Sequence, residues 1–151
     1  METLANILGT KEKMNAVEAF CASHPQVHLP LEHRFTSGMY IRTIFMPAGT
    51  VVTSRTHKTD HPFVVQSGVV DVYDESGRCE RLLSGHLGIT KAGTRRILMV
   101  HADCTWTTFH ATDKTDPEEI GEEITEASND LLPEGFRQLW NNTKEELWLG
   151  Q

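Results

Sequence analysis

Between about Phe35 and Ala111 the sequence is divided into short β-rich runs by clusters of turn-forming residues. These clusters are rich in glycine, proline, serine and aspartate, and no segment of helical periodicity interrupts the series. Many short strands at this spacing indicate an antiparallel sandwich or barrel and disfavour a parallel α/β sheet. The predicted strands are Met39–Met46, Val51–Ser54, Pro62–Gln66, Val69–Tyr73, Cys79–Leu83, Leu87–Thr90, Arg95–Val100 and Thr105–His110.

A short amphipathic segment precedes these strands. Residues 11–23 carry apolar side chains at helical spacing, and Pro25 ends the helix soon afterwards. We therefore predict a helix that packs on the body, within an N-terminal segment of residues 1–34, followed by a barrel of residues 35–112. The predicted apolar stripe consists of Met14, Val17, Phe20 and Cys21.

After the last predicted strand the chain becomes acidic and helical. Asp116 and Pro117 have the features of a helix N-cap and first turn, and the glutamates that follow predict a solvated helix face. A second stretch, Phe136–Leu147, has an apolar face that includes Trp140 and predicts contact with the barrel or with a second subunit. We assign residues 113–151 to this helical tail and expect a homodimer.

Composition and charge argue against several classes of protein. A chain of 151 residues suits one domain, and no apolar run approaches the roughly 20 residues of a membrane span. The formal charge of −7 and the lack of a basic cluster beyond Arg95-Arg96 argue against nucleic-acid binding. Because no secretory signal is visible, we expect a soluble cytoplasmic protein without a membrane partner. Its cysteines, predicted to be small buried thiols, are Cys21, Cys79 and Cys104.

Two histidines flank a polar turn in the middle of the chain. His57 and His61 lie on either side of Lys58-Thr59-Asp60, between two predicted strands. Side chains at adjoining strand ends can face one cavity, and imidazole is a ligand of several transition metals. The pattern predicts a metal site in which Asp60 orients an imidazole by a hydrogen bond. The alternative is that both histidines hydrogen-bond to the turn or to Asp60 and bind nothing.

A third ligand is expected from the last strand. Because strand residues alternate between faces, Trp106, Thr108 and His110 share one face, and His110 points inward if Trp106 fills the barrel. His101 is the alternative third ligand. Three imidazoles with one open position suit a divalent transition metal, whose identity stays open among zinc, iron, nickel, manganese and copper. The histidines expected at the surface are His24, His28, His33 and His86.

Four segments, taken in order, resemble the cupin family. The resemblance extends over about residues 27–126 and is strongest to small cupin-like proteins that are often encoded by bacteriophages. If this protein is encoded by a phage, we expect it in the cytoplasm of the host. The resemblance implies a double-stranded β-helix, an all-β jelly-roll barrel that often holds one divalent metal on three histidines and a glutamate. The segments are Pro47-Ala48-Gly49-Thr50, residues 57–61, Ala92-Gly93-Thr94-Arg95-Arg96 and residues 106–110.

The chain departs from the usual cupin ligand pattern at three of its four places. Arg55 stands where the first histidine is usual, His61 where the glutamate is usual, and Arg96 where the second-motif histidine is usual. His57 alone is carried over directly. The resemblance therefore does not imply the usual ligand set, and any metal site would have to be built from other residues.

Arg55 and Arg96 suggest a second component of the site. A guanidinium group inside a barrel needs an anionic counterpart, either a small carboxylate or phosphate ligand or an internal acid such as Asp71 or Asp60. The alternative places both arginines outward or at the barrel rim.

Three functions stay open at this point, because one fold supports many activities. The first is a metal-dependent protein that binds or acts on a small anionic molecule. The second is a non-catalytic phage accessory protein that binds a small ligand or a host protein partner without metal, and the third is a structural assembly protein. No nucleophile elbow, phosphate loop or dinucleotide motif is present, so catalytic residues stay unassigned.

Overall fold

The structure is a computed structural model that describes residues 11–126, with side chains described from residue 14 onward. Residues 1–10 and 127–151 lie outside the described residues, and with them the predicted helix Phe136–Leu147 and its Trp140. The described elements, in chain order, are α1 (Lys11–Ala22), β1 (Leu31–Thr36), β2 (Met39–Met46), β3 (Val51–Thr53), β4 (His61–Asp74), β5 (Cys79–Leu83), β6 (Leu87–Thr90), β7 (Arg96–Ala111) and α2 (Pro117–Ile124).

All of the strand pairs are antiparallel, and β7 and β4 lie at the centre of the sheet. The strand order is β1-β2-β7-β4-β5, while β3 also pairs with β7 and β6 also pairs with β4. The predicted all-β core with flanking helices is confirmed. The main core contains Leu29, Ile44, Met46, Val52, Phe63, Val65, Val70, Val72, Leu82, Leu98, Val100, Cys104 and Trp106.

The two long strands bend together at a pair of irregular positions that the sequence pattern presented as turns. Ser67-Gly68 and Ala102-Asp103 both lie inside continuous strands, where the β4–β7 register shifts between Val65 and Val70. Gly68 has a φ of 102°, and a Cβ atom there would lie 2.4 Å from the carbonyl oxygen of Asp103. The glycine is therefore needed for the close approach of the two strands, and this bulge replaces the predicted turns.

The first strand was missed by the sequence pattern. β1 begins at Leu31, inside the segment assigned to residues 1–34, and pairs with β2 through Leu31↔Ile44 to Thr36↔Met39. Apart from Leu31, which packs against the core, its residues are exposed, so the strand lacks the alternation that identifies a half-buried strand. The sheet thus starts four residues before the predicted barrel boundary at 35.

Helix α1 packs on the barrel through part of the predicted apolar stripe, since Val17 packs beside Met14 while Phe20 does not take part. Met14 is buried against Ile97, whereas Phe20 is 63% exposed. A polar contact fixes this face, because the guanidinium of Arg95 donates hydrogen bonds to Asn15 Oδ1 and to Glu18 Oε2. The helix therefore contacts the barrel through a buried ion pair as well as through apolar side chains.

The cysteines and helices of the described residues bear on two further predictions. Cys104 is buried, Cys21 is half-buried and Cys79 is exposed, so the prediction of buried thiols is correct for Cys104 and wrong for Cys79.

Within residues 11–126, neither helix has the length and apolar content needed to cross a bilayer.

The bulge at Gly68 gives a test of the barrel geometry. We expect Gly68→Ala to lower the free energy of unfolding by roughly 2–4 kcal/mol, because it combines a left-handed φ with a backbone clash. Gly85→Ala is the matched control, since Gly85 has a φ of 90° and no atom within 4 Å of an added Cβ. Chemical denaturation measures both. Equal losses for the two variants would contradict a special role for the strand contact at Gly68.

Candidate functional site

Two histidines face each other at one end of the barrel because of the register of β4 and β7. The pairs Phe63↔Thr108 and Val65↔Trp106 set the inward face, and two-residue alternation extends that face to His61 and His110. The centroids of the two imidazole rings lie 4.4 Å apart. Both side chains are buried, so the strand pairing alone places two potential ligands side by side.

His57 joins this pair from outside the regular strands. Its backbone N–H donates to the carbonyl oxygen of Thr94, and its own carbonyl accepts from the N–H of Gly93. An isolated antiparallel bridge also joins His57 to Thr125, just after α2. The side chain is buried, and its ring centroid lies 4.5 Å from that of His61. The structure thus brings His57, His61 and His110 into one cluster, which we call the histidine cluster.

The histidine cluster consists of imidazoles in a poorly hydrated environment. Burial lowers the pKa of His61 to about 4, and the positive charges of Arg96 and Arg42 act in the same direction. Burial also lowers the pKa of His110 to about 2, reinforced by the neighbouring histidines and Arg42. These two rings are therefore neutral near pH 7, the protonation state in which an imidazole nitrogen can bind a metal.

Some imidazole nitrogens of the cluster lack a hydrogen-bond partner. Within residues 11–126, Nδ1 of His110 is buried without one, while its Nε2 lies 2.8 Å from Thr108 Oγ1. His61 differs, since a hydrogen bond with the backbone of Thr59 acts on its ring and raises its pKa against the effect of burial. Buried polar atoms are usually paired, so the orphaned nitrogen of His110 is a feature that a bound ligand would explain.

A small cavity adjoins the cluster. Its volume is about 20 Å³, which exceeds the roughly 10–15 Å³ that one water needs. The cavity suits a single ion or a small group of atoms. Its lining residues are His57, His61, Thr90, Arg96, Leu98, Trp106 and Thr108.

The adjacent arginines 95 and 96 serve opposite faces of the sheet. Arg95 points to α1, whereas Arg96 lines the cavity and its guanidinium carbon lies 5.2 Å from the ring centroid of Phe63. Burial lowers the pKa of Arg96, opposed by the negative charges of Glu80 and Asp74. The stacked guanidinium keeps its charge and places it at the cavity wall.

Arg42 also belongs to this site, although the sequence analysis did not select it. In β2 the buried positions are Tyr40, Arg42, Ile44 and Met46, so Arg42 faces inward, opposite Thr108 of β7. Burial lowers its pKa to about 10, and its charge acts on both His61 and His110. Its alternation with apolar residues was the available signal, since an arginine at a core position is rare unless it is paired.

Arg55 and Asp60 have other surroundings. Arg55 is half-buried and does not line the described cavity, and burial lowers its pKa against the opposing charges of Glu18 and Glu122. Asp60 is exposed, and its carboxylate accepts from the N–H of Ala92 at 2.7 Å. A hydrogen bond from Asp60 to an imidazole is not found among the described residues, so this carboxylate fixes the loop instead.

His101, the alternative third ligand, lies on the other side of the sheet. Its Nε2 is 2.7 Å from Asp71 Oδ2, and Arg81 forms a two-bond contact with the same carboxylate at 2.7 and 3.0 Å. Asp71 is thus committed to an outer ion pair and does not neutralise Arg55 or Arg96. Of the histidines expected at the surface, His86 is half-buried and three are exposed, namely His24, His28 and His33.

Helix α2 covers the His57 end of the barrel. Ile120 and Ile124 pack on Tyr40, whose ring stacks 5.8 Å from that of His110. Beyond the helix, the carbonyl of Ile124 accepts from the N–H of Lys58 at 2.7 Å. The predicted N-cap is present, since the Asp116 carboxylate accepts from the N–H of Glu118. The acidic side chains stay at the surface while the apolar face closes the barrel.

The donor atoms of the cluster are not already arranged around a common centre. Within residues 11–126, no group of three or more His, Cys, Asp or Glu side chains is placed to hold a metal ion as it stands. Rotation of an imidazole about χ2 changes the direction of its nitrogens without moving the strands, and this torsion has broad energy wells. The cluster therefore contains suitable ligands, but the imidazole rings must rotate before they can share an ion.

The comparisons with known proteins agree with the observed fold. No protein-family model matches the sequence, and no curated protein matches it. Among solved structures, the chain is similar to an uncharacterized conserved protein with a double-stranded beta-helix domain from Klebsiella pneumoniae, at 15% identity over 69% of this chain and 90% of that chain, with a TM-score of 0.52.

Two further solved structures have the same type of likeness. One is a DMSP lyase from Ruegeria pomeroyi, at 12% identity over 59% of this chain and 49% of that chain, with a TM-score of 0.50. The other is a cupin-2 domain containing protein from Shewanella frigidimarina, at 15% identity over 65% and 93% of the two chains, with a TM-score of 0.48. Identities this low show the fold alone, and the Klebsiella pneumoniae structure, with a TM-score of 0.52, gives this chain the double-stranded β-helix fold.

The Asp71 ion pair predicts a pH-dependent contribution to stability. Hydrogen bonds from Arg81 and His101 lower the pKa of Asp71 to about 2, from 3.8 for an unperturbed carboxyl group. The folded state therefore binds fewer protons than the unfolded state, and this stabilisation is complete above pH 3.8 and is lost as the pH falls through about 2. We expect Asp71→Asn to destabilise the protein most near neutral pH, with a difference from wild type that shrinks in acid.

Denaturation of both proteins along a pH series measures this difference. Asp113→Asn changes an exposed carboxylate and is the matched control. A difference between wild type and Asp71→Asn that stays constant down to the acid limit would contradict the ion-pair origin.

Proposed function

We propose that the protein binds one divalent transition metal ion through His57, His61 and His110 and uses it to bind or act on a small anionic molecule. The observation that carries the proposal is the buried histidine cluster, in which ring centroids are separated by 4.4 and 4.5 Å. In zinc sites each imidazole nitrogen lies about 2.0–2.1 Å from the ion, so rings that share an ion are close neighbours.

The residues of the cluster fit such an ion chemically. The lowered pKa values of His61 and His110 keep these rings neutral, and Nδ1 of His110 has no hydrogen-bond partner among the described residues. Three imidazoles leave an open coordination position, as in catalytic metal sites. A metal bound there supplies Lewis acidity, which polarises a ligand oxygen or lowers the pKa of a bound water.

The surrounding residues supply selectivity. Arg96 can anchor a carboxylate or phosphate group by a two-bond contact at the cavity wall, with its guanidinium held on Phe63. Leu98 and Trp106 line the same cavity with apolar surface and limit access of water to the bound group. The sequence pattern selected Arg55 as a second anchor. Because Arg55 does not line the described cavity, we do not assign it this role.

A second candidate function is a non-catalytic protein that binds a small ligand, or a host protein partner, without metal. The observation that favours it is the positive charge around the histidine cluster, where Arg42 and Arg96 both act on His61. Cationic neighbours oppose the binding of a further cation and favour an anion. Metal content of the purified protein separates the two candidates.

Three further features stay predictions from the sequence. They are the homodimer, the cytoplasmic location and the association with bacteriophages. The size of the purified protein in solution tests the first of these.

The metal proposal predicts binding of about one zinc ion per chain by untagged protein. We expect His61→Gln and His110→Gln each to weaken zinc binding by about a hundredfold, because each removes a ligand. Titration with a competing zinc chelator measures affinity, and elemental analysis after desalting measures stoichiometry.

His101→Gln is the matched control, since His101 lies on the outer side of the sheet with Asp71. Absence of stoichiometric zinc in wild type would overturn the proposal. A loss of affinity in His101→Gln as large as in the cluster variants would overturn the assignment of ligands.

A further inference from the structure

We propose that Thr108 is a positioning residue that holds the His110 imidazole in the tautomer with its proton on Nε2, so that Nδ1 carries the free lone pair of this ring. This inference rests on the proposed function in making Nδ1 the atom through which His110 binds the metal ion. It identifies the coordinating atom of one ligand, and it gives a role to a hydroxyl group that the sequence analysis did not select.

The position of the Thr108 hydroxyl is fixed by the sheet. Thr108 lies in β7, between Phe63 of β4 and Arg42 of β2 in the strand register, so its backbone is held on both sides. The side chain is buried, and branching at Cβ restricts its χ1 torsion. Residues two apart in a strand share a face, which places Thr108 and His110 on the same inward side. The hydroxyl is therefore a rigid partner for the ring.

The contact involves one specific nitrogen of the ring. Thr108 Oγ1 lies 2.8 Å from Nε2 of His110, whereas Nδ1 is buried and has no hydrogen-bond partner among the described residues. Only 3% of His110 is exposed, and burial favours the neutral imidazole, which carries one N–H group and one lone pair. Two arrangements follow. Either Nε2–H donates to Thr108, or the Thr108 hydroxyl donates to Nε2 and the ring proton is on Nδ1.

The surroundings of Nδ1 favour the first arrangement, although both leave this atom without a partner within residues 11–126. In the second arrangement Nδ1–H is a buried donor without an acceptor, and orphaned buried N–H groups are rare in folded proteins. In the first, Nδ1 presents a lone pair, which a metal ion completes. Imidazoles that bind a metal commonly donate their other N–H to an oxygen that fixes the tautomer and the ring orientation. Thr108 Oγ1 supplies that oxygen to His110.

A ring held at Nε2 keeps its place when an ion binds. The rotation that the histidine cluster needs to share an ion then falls on the rings of His57 and His61. Loss of the Thr108 hydroxyl frees His110 to change tautomer and orientation, so it lowers metal affinity without removing a ligand. Partners of this kind typically contribute about ten- to a hundredfold to metal affinity.

Heteronuclear NMR of the imidazole nitrogens of His110 tests the tautomer in the metal-free protein near neutral pH. We expect wild type to carry the proton on Nε2 and to have an unprotonated Nδ1, and we expect Thr108→Val to contain a mixture of the two tautomers. After addition of one equivalent of zinc to wild type, the resonance of Nδ1 is expected to shift while Nε2 keeps its proton.

Competition with a zinc chelator measures the effect on affinity. We expect Thr108→Val to weaken zinc binding by about tenfold. Thr108→Ser keeps the hydroxyl group and is expected to retain wild-type affinity. Thr107→Val is the matched control, because the Thr107 hydroxyl contacts Thr43 and Gln66 on the outer face of the sheet. We expect this control to leave zinc affinity unchanged.

A proton on Nδ1 of His110 in the metal-free wild type, or zinc binding through Nε2, overturns the inference and leaves the proposed function standing. Equal zinc affinity in wild type and Thr108→Val, or an equal loss in Thr107→Val, does the same. Conversely, an Nε2 proton that depends on Thr108, in a protein that binds no zinc, overturns the metal proposal and supports the positioning role of Thr108. If Thr108→Val does not fold, the tautomer of wild-type His110 decides the inference.

Discussion

β4 and β7 pair in antiparallel register from Phe63↔Thr108 to Asp74↔Arg96, and nearly every other element is attached to this pair. β2 and β3 pair with β7, and β5 and β6 pair with β4. Because side chains alternate along both strands, one register fixes which residues enter the core and which face solvent. A shift by one residue would exchange these faces, so the core and the histidine cluster depend on the same pairing.

Burial lowers the pKa values of the histidines and of the arginines alike, but it leaves them in different charge states near neutral pH. Removal from water favours the neutral form of an imidazole, and His61 and His110 accordingly have lowered pKa values. A guanidinium resists deprotonation even when buried, and Arg42 keeps a pKa of about 10. The barrel interior therefore combines neutral metal-ligand side chains with permanent positive charge. This combination suits the anionic ligand of the proposed function, since an anion offsets the charge of the arginines and of a bound cation alike.

Periodicity predicted most of the sheet, and its failures have physical causes. Met39–Met46, Cys79–Leu83 and Leu87–Thr90 have the predicted bounds because turn residues flank each of them, and Met39–Met46 also shows alternating burial. The bulge at Gly68 was interpreted as a turn because glycine serves both structures, and only the approach of Asp103 separates them. The role of Glu18 in fixing α1 was also not predicted, because its partner Arg95 lies far away in sequence.

The sequence by itself determined the class of fold and which residues could serve as ligands, because alternation and turn chemistry are local properties. It also indicated His110 as an inward residue, since Trp106 and His110 share one face of a strand. Tertiary structure alone decided that His57, His61 and His110 meet, that His101 lies on the opposite side with Asp71, and that Arg42 is buried opposite Thr108. These outcomes depend on strand register between distant segments, which no local pattern encodes.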